Sequence, residues 1–201
     1  MNYFLRIPLQ ATDAQNKCLV ALQALFTQVC NALTPTVQQT RTWNRVALHH
    51  LMYRTLRDRF PELGSQMVCN AIYSVSRTAR LLFQHPDSSL KLSRLNDAPL
   101  PLIRFGHNCP VYFDRHTLSV KEGQLSMFTL DGRMRFALAL KPADEALFQQ
   151  KKLREIVLAR KDDCDFELAF LFSDKEDEQA LDVPPTNNAG IPAYVTVEEA
   201  A

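Results

Sequence analysis

A chain of 201 residues with 46% hydrophobic content is long and apolar enough for one generous domain or two small ones. No uninterrupted apolar run approaches the ~18 residues of a membrane span. The opening MNYFLRIPLQ has Arg6 inside its short apolar run and no small-residue cleavage site, and the five cysteines are scattered without a CxxC pair. A membrane, a secretory signal, a zinc site and a disulfide framework are therefore not expected, and the thiols read as reduced, in a cytoplasmic protein. The net charge of +1 hides a split: residues 1–140 carry 16 Lys/Arg against 8 Asp/Glu, residues 141–201 carry 7 against 14. Either the first part meets a polyanion and the second is an acidic tail, or the charges only solubilise.

In chain order, Tyr3, Leu5, Ile7 and Leu9 alternate with Phe4, Arg6 and Pro8, a strand whose Pro8 places it at an edge or bulge. Thr12 and Asp13 can cap a helix over 14–33, where Leu19, Leu22, Leu25, Phe26, Val29 and Leu33 recur at helical spacing and Thr34-Pro35 is the expected stop. A second helix is expected over 37–60, with Trp43, Ala47, His50 and Leu51 on one face and Arg41, Arg45, Arg54 and Arg57 on others. His49 and His50, about 100° apart on a helix, read as packed or surface histidines rather than ligands. After the corner Pro61-Glu62-Leu63-Gly64, Ser65 is the expected N-cap of a third helix ending near Phe83. Val68, Ala71, Ile72, Val75, Ala79 and Leu82 give that helix the cleanest period in the chain. Tyr73, Arg77 and Arg80 make a separate stripe. It reads equally as phosphate contacts beside a stacking ring or as a solvated face with one half-buried tyrosine.

Residues 85–102, with Pro86, Pro99 and Pro101, read as a linker. A strand meander follows over 109–140, punctuated by Asp114-Arg115, Glu122-Gly123 and Asp131-Gly132. After a short polar segment, Leu153–Lys161 and Asp165–Phe172 form a further hairpin around Asp162-Asp163-Cys164. Residues 173–201 read as an acidic, disordered tail. The first strand needs a partner that only the later strands can supply. The expected fold is therefore α+β: a small OB-like antiparallel β-barrel with a helical-bundle insertion after its first strand. Its parts are a first barrel strand (1–10), the helical insertion and linker (11–102), the barrel (103–172) and the tail (173–201).

The order of three segments, Thr42–Arg80, Pro110–Leu140 and Leu153–Phe172, resembles TnpB-type transposon proteins and the related RNA-guided type V CRISPR effectors. The helical corner matches at Asn44, Tyr53, Leu56, Arg57, Phe60, Pro61, Leu63, Ser65 and Gln66. The β part matches at Phe113, Asp114, Leu118, Ser119, Leu130, Gly132 and Arg133. The resemblance covers residues 1–172 and implies a wedge-type barrel that holds a guide-RNA scaffold, with a helical recognition lobe against the guide–target duplex. The RuvC nuclease domain that follows in that family is expected to be absent.

Asp114 and Asp131 fall in turns and read as turn formers, and no nucleophile–base pair stands out. The chain is accordingly expected to be no enzyme and to need no metal or cofactor. The leading expectation is a nuclease-deficient, TnpB-like RNA-binding protein of antiviral defence or transposition. It would hold a structured, guide-like RNA through Arg41, Arg45, Arg54, Arg57, Tyr73, Arg77, Arg80, Arg133 and Arg135. DNA, and a separately encoded nuclease or other subunit, are the further partners this implies. The alternative is a protein-interaction subunit or inhibitor in such a complex, without nucleic-acid binding.

Overall fold

The computed structural model describes residues 2–95, 98–161, 165–174 and 186–199. In chain order the elements are β1 (Asn2–Pro8), α1 (Asp13–Thr40), α2 (Arg45–Arg59), α3 (Ser65–Gln84), α4 (Leu92–Leu95), β2 (Leu102–Phe105), β3 (Val111–Phe113), β4 (Leu118–Lys121), β5 (Gln124–Thr129), β6 (Gly132–Ala137), α5 (Pro142–Gln150), β7 (Lys152–Arg160), β8 (Phe166–Ser173) and β9 (Val195–Glu198). The protein is α+β with antiparallel sheets, and it divides into two compact units: a β-rich one of Met1–Leu22 with Pro110–Asp182, and a helical one of Gln23–Cys109 with Val183–Ala201.

In the β-rich unit, β1 finds its expected late partner, pairing antiparallel with β8 from Asn2↔Ser173 to Pro8↔Glu167. Pro8 is tolerated because β1 is an edge of the four-stranded sheet β1-β8-β7-β3. Phe166, Leu168, Phe170 and Phe172 of β8 are buried, and Phe148 of α5 meets Phe170 and Phe172 edge-on at 5.1 and 5.0 Å. The segment read as merely polar is thus a helix, started by Pro142 in its first turn with Asp144 and Glu145 at its positive end. The expected meander is only partly realised. β4, β5 and β6 form their own three-stranded sheet, whereas β3 joins β7 in the larger one. The expected closed barrel is not formed among the described residues, where the strands make separate open sheets. The Glu122-Gly123 turn has both residues at positive φ (51° and 71°), the geometry that a tight two-residue hairpin requires. Asp114 closes its own turn, its carboxylate accepting from His116 N, Thr117 N and Thr117 Oγ1 at 2.8–3.0 Å. The expected turn at Asp162-Asp163-Cys164 lies outside the described residues.

An ion pair ties the end of β8 to the start of β7. Lys151 Nζ lies 2.5 Å from Asp174 Oδ1 and 4.7 Å above the Tyr3 ring. The hydrogen bond from Lys151 lowers the Asp174 pKa below 3.8, and its counterpart from Asp174 raises that of Lys151 above 10.5. The aspartate's contribution to stability is therefore full above the ordinary aspartate value and is lost as pH falls through the lowered folded value. The lysine's is full below its ordinary value and is lost only as pH rises past the raised one. Asp174→Asn is expected to flatten the acid limb of the melting temperature against pH relative to wild type. Identical acid limbs would show that the pair contributes nothing.

In the helical unit, α1 runs through Pro35 to Thr40 instead of stopping at Thr34. Proline lacks the N–H that would serve the Asn31 carbonyl one turn back, and the Thr34 hydroxyl donates to that carbonyl at 3.2 Å instead. At its other end, Thr12 and Gln15 exchange the reciprocal bonds of a capping box, at 3.0 and 3.2 Å. By length and composition α1 could cross a membrane, which the absence of an uninterrupted apolar run did not reveal. Its Leu19, Leu22, Phe26, Val29, Cys30 and Leu33 are nevertheless fully buried in this fold.

The second helix starts at Arg45 rather than 37, because Arg41 turns the chain at φ 51° and Asn44 caps the new helix. Its buried side is Leu48 and Leu56; His50 and Leu51, expected to share one face with Trp43 and Ala47, are exposed. Gly64, not Ser65, occupies the N-cap of α3, and the periodic set from Val68 to Leu82 is buried as expected. Residues 85–102 are more than a linker: they include α4 and the start of β2, and Asn31, Gln38 and Arg41 of α1 and its end bond the backbone of Phe105, Leu100 and Ala98. Burial, and then the neighbouring Cys109, pushes the Cys30 thiol well up, so it stays protonated.

The described parts of the expected tail carry strand structure. Ser173 belongs to β8, and β9 pairs with β2 from Leu102↔Glu198 to Phe105↔Val195. Tyr194 and Val195 are buried, and the acidic stretch of 175–185 lies outside the described residues.

Candidate nucleic-acid interface

The nine residues singled out from the sequence separate into three groups. Arg41 and Arg57 bond main-chain carbonyls. Arg41 Nη1 donates to Ala98 O at 3.0 Å, and Arg57 Nη1 donates to Leu63 O, tying the end of α2 to the corner before α3. Arg77 is buried, with only 5% of its surface exposed, so the Tyr73–Arg77–Arg80 stripe is not a continuous outer face. The α1–α2 connection crosses α3 at this level: Ser76 Oγ donates to Trp43 O at 2.6 Å, and the Trp43 ring packs on Phe83 at 5.3 Å. Arg77 is corrected to a residue of the interior.

The remaining residues lie at the surface of the two units. In the helical unit the Asn44 side chain accepts from Val46 N and Ala47 N, at 2.9 and 3.1 Å, and so fixes the first turn of α2. Arg45 leaves that turn with its guanidinium carbon 5.4 Å from the centre of the half-buried Tyr73 ring on α3. One turn on, His49 lies flat on Tyr53, the ring centres 4.6 Å apart and the planes 18° from parallel. An open groove of about 380 Å³ between α2 and α3 is lined by Arg45, Val46, His49, Gln66, Cys69 and Ile72. Arg80 is exposed further along α3, while Arg54 lies about 180° around α2 from Arg45 and faces away from the groove.

In the β-rich unit Arg133 and Arg135 are both exposed on β6 and point to the same side of the three-stranded sheet. Arg133 is held: Nη2 donates to His116 O at 2.8 Å and Nη1 to Ser126 Oγ at 3.2 Å.

Comparison with protein-family models and with curated proteins finds no match for this chain. What the surfaces can do therefore has to be read from their own chemistry. Residues 23–109 carry 10 Lys/Arg against 4 Asp/Glu, so the groove beside Arg45 sits in a cationic stretch. A guanidinium over one ring and an imidazole over another offer charge for phosphate and flat faces for bases. Among the described residues no group of three or more His, Cys, Asp or Glu side chains comes together.

Two features escape a reading of the sequence by periodicity. The Arg45–Tyr73 contact joins residues 28 positions apart on different helices, which no periodicity displays. The His49–Tyr53 stack, by contrast, is an i, i+4 pair and is visible in principle.

Proposed function

We propose that the protein binds RNA, with the α2–α3 surface around Arg45 and Tyr73 as its main binding face. The observation that carries this reading is the guanidinium of Arg45 set 5.4 Å over Tyr73 beside the His49–Tyr53 stack, in a stretch with more than twice as many cationic as anionic residues. Arg54 and Arg80 add phosphate contacts from the same unit, and Arg133 and Arg135 from the other. In this reading the protein is a TnpB-like, guide-RNA-holding module of the cytoplasm. The pairing of β1 with β8 around an inserted helical region supports that layout. DNA paired to the RNA, and a separately encoded nuclease or other subunit, are the partners that follow from it.

The test is binding of a structured RNA hairpin to the whole chain across a salt series. Wild type is expected to lose affinity linearly in log–log form, and Arg45→Glu with Arg80→Glu to lower the slope by about 1.5, near 0.7–0.9 for each phosphate no longer neutralised. No binding at low salt, or a slope untouched by both reversals, would overturn the reading.

A further inference from the structure

The outer face of the β4–β5–β6 sheet carries an aromatic side chain that the fold does not bury. Along β5, Leu125 and Met127 point inward and are fully buried, so Gln124, Ser126 and Phe128 point outward, and Phe128 is 40% exposed. Its cross-strand partner is Arg133, whose guanidinium carbon stands 4.5 Å from the ring centre. That guanidinium is fixed by its bonds to His116 O and to Ser126 Oγ, so ring and cation form one ordered layer rather than two mobile side chains.

The neighbouring rows supply what the backbone of a bound strand needs. Ser119, Ser126 and Arg135 lie across the three strands in one row, and Lys121 and Gln124 in the next, around an open depression of about 410 Å³. Successive outward residues are about 7 Å apart along a strand, so Arg133 and Arg135 present charge at two steps along β6. Of the nearby carboxylates, Asp131 accepts from Cys18 Sγ at 3.6 Å, and Glu122, exposed at the rim of the depression, lies 3.8 Å from Lys121 Nζ.

We infer that this face is a stacking platform for unpaired nucleotides: a base lies on the Phe128–Arg133 layer, and Arg135 and Lys121 take the adjoining phosphates. The inference rests on the RNA-binding reading and names the part of the nucleic acid this face takes, a single strand. A flat sheet face reaches the π-faces of unstacked bases, which a duplex keeps covered. Ser119, Gln124 and Ser126 are the hydrogen-bonding groups beside it.

The experiment measures binding of the whole chain to fluorescein-labelled single strands of about ten nucleotides, oligo-U and oligo-dT, and to a blunt RNA hairpin. Phe128→Ala is expected to weaken single-strand binding about 5- to 100-fold while leaving the hairpin affinity and the melting temperature unchanged. Phe128→Trp keeps a stacking face and is expected to retain wild-type affinity. Equal losses on oligo-U and oligo-dT support base stacking, whereas a loss on oligo-U alone would assign recognition to the sugar and overturn the platform as drawn. Wild-type single-strand affinity in Phe128→Ala, with hairpin binding still weakened by Arg45→Glu, would remove the platform and leave RNA binding standing. Absence of all nucleic-acid binding would remove both.

Discussion

Arg77→Glu is expected to destabilise the helical unit rather than only to weaken ligand binding at its surface. The residue sits on the face of α3 between Ser76 and Thr78, each at most 2% exposed, and is itself 5% exposed. Placing a carboxylate at a position this buried leaves an uncompensated buried charge, a change of about 3–5 kcal/mol. A single domain has about 5–15 kcal/mol in all, so the expected fall in melting temperature is on the order of 10 °C. Arg80→Glu, one turn on and exposed, should stay within about 0.5 kcal/mol of wild type. Thermal melts of the two single variants decide the matter. Wild-type stability in Arg77→Glu would mean that the side chain is free to leave the interior, and would restore the continuous Tyr73–Arg80 surface stripe.

The contrast between these two arginines shows where a sequence stops being legible. Period 3.6 locates the buried face of α3 from Val68 to Leu82, because that signal belongs to one helix. Arg77 lies off that stripe, and what encloses its level of the helix is a connection anchored by Trp43, 34 residues earlier. The capping at Thr12 and the turns at Asp114 and Glu122-Gly123 are local, and the sequence displays them directly. Pro35 does not stop α1 because its cost is offset by the Thr34 hydroxyl, a compensation that propensity alone does not include. The partner of β1 can be named by elimination, since only the late strands are available to pair with it. How the strands divide among three sheets cannot, because β3 is equally compatible with its neighbour β4 and with the distant β7. Of the candidate site, the charges are legible and their pairing with rings is not. Phe128 is the exception. Its outward parity against Leu125 and Met127 is written in the alternation of β5.

Removing residues 186–201 is expected to destabilise the helical unit at least as much as Arg77→Glu, although composition assigns these residues to a tail. Tyr194 and Val195 are 8% and 6% exposed, and burying each contributes about 1.5–3 kcal/mol. The Tyr194 ring stacks on Phe105 with centres 6.1 Å apart, and its hydroxyl shares a 3.1 Å hydrogen bond with Thr78, which is 1% exposed and would be left buried without this partner. That orphaned hydroxyl costs about 1–3 kcal/mol, and the ladder from Leu102↔Glu198 to Phe105↔Val195 goes with it. The sum is about 5 kcal/mol or more, comparable to the stability of a whole domain. Gly190→Ala tests the same anchorage without deletion. Gly190 holds φ 73°, and a Cβ there would stand 2.8 Å from the Cα of Ser88, a backbone atom that cannot swing aside. The left-handed conformation alone costs about 1–2 kcal/mol, and the clash adds to it. Tyr194→Phe, which keeps the ring, should cost about 1–2 kcal/mol. Urea melts should therefore rank truncation below Gly190→Ala and Gly190→Ala below Tyr194→Phe. A truncated chain and a Gly190→Ala variant that both melt with wild type would return these residues to the role of a loose tail and leave β2 to hold its place without β9.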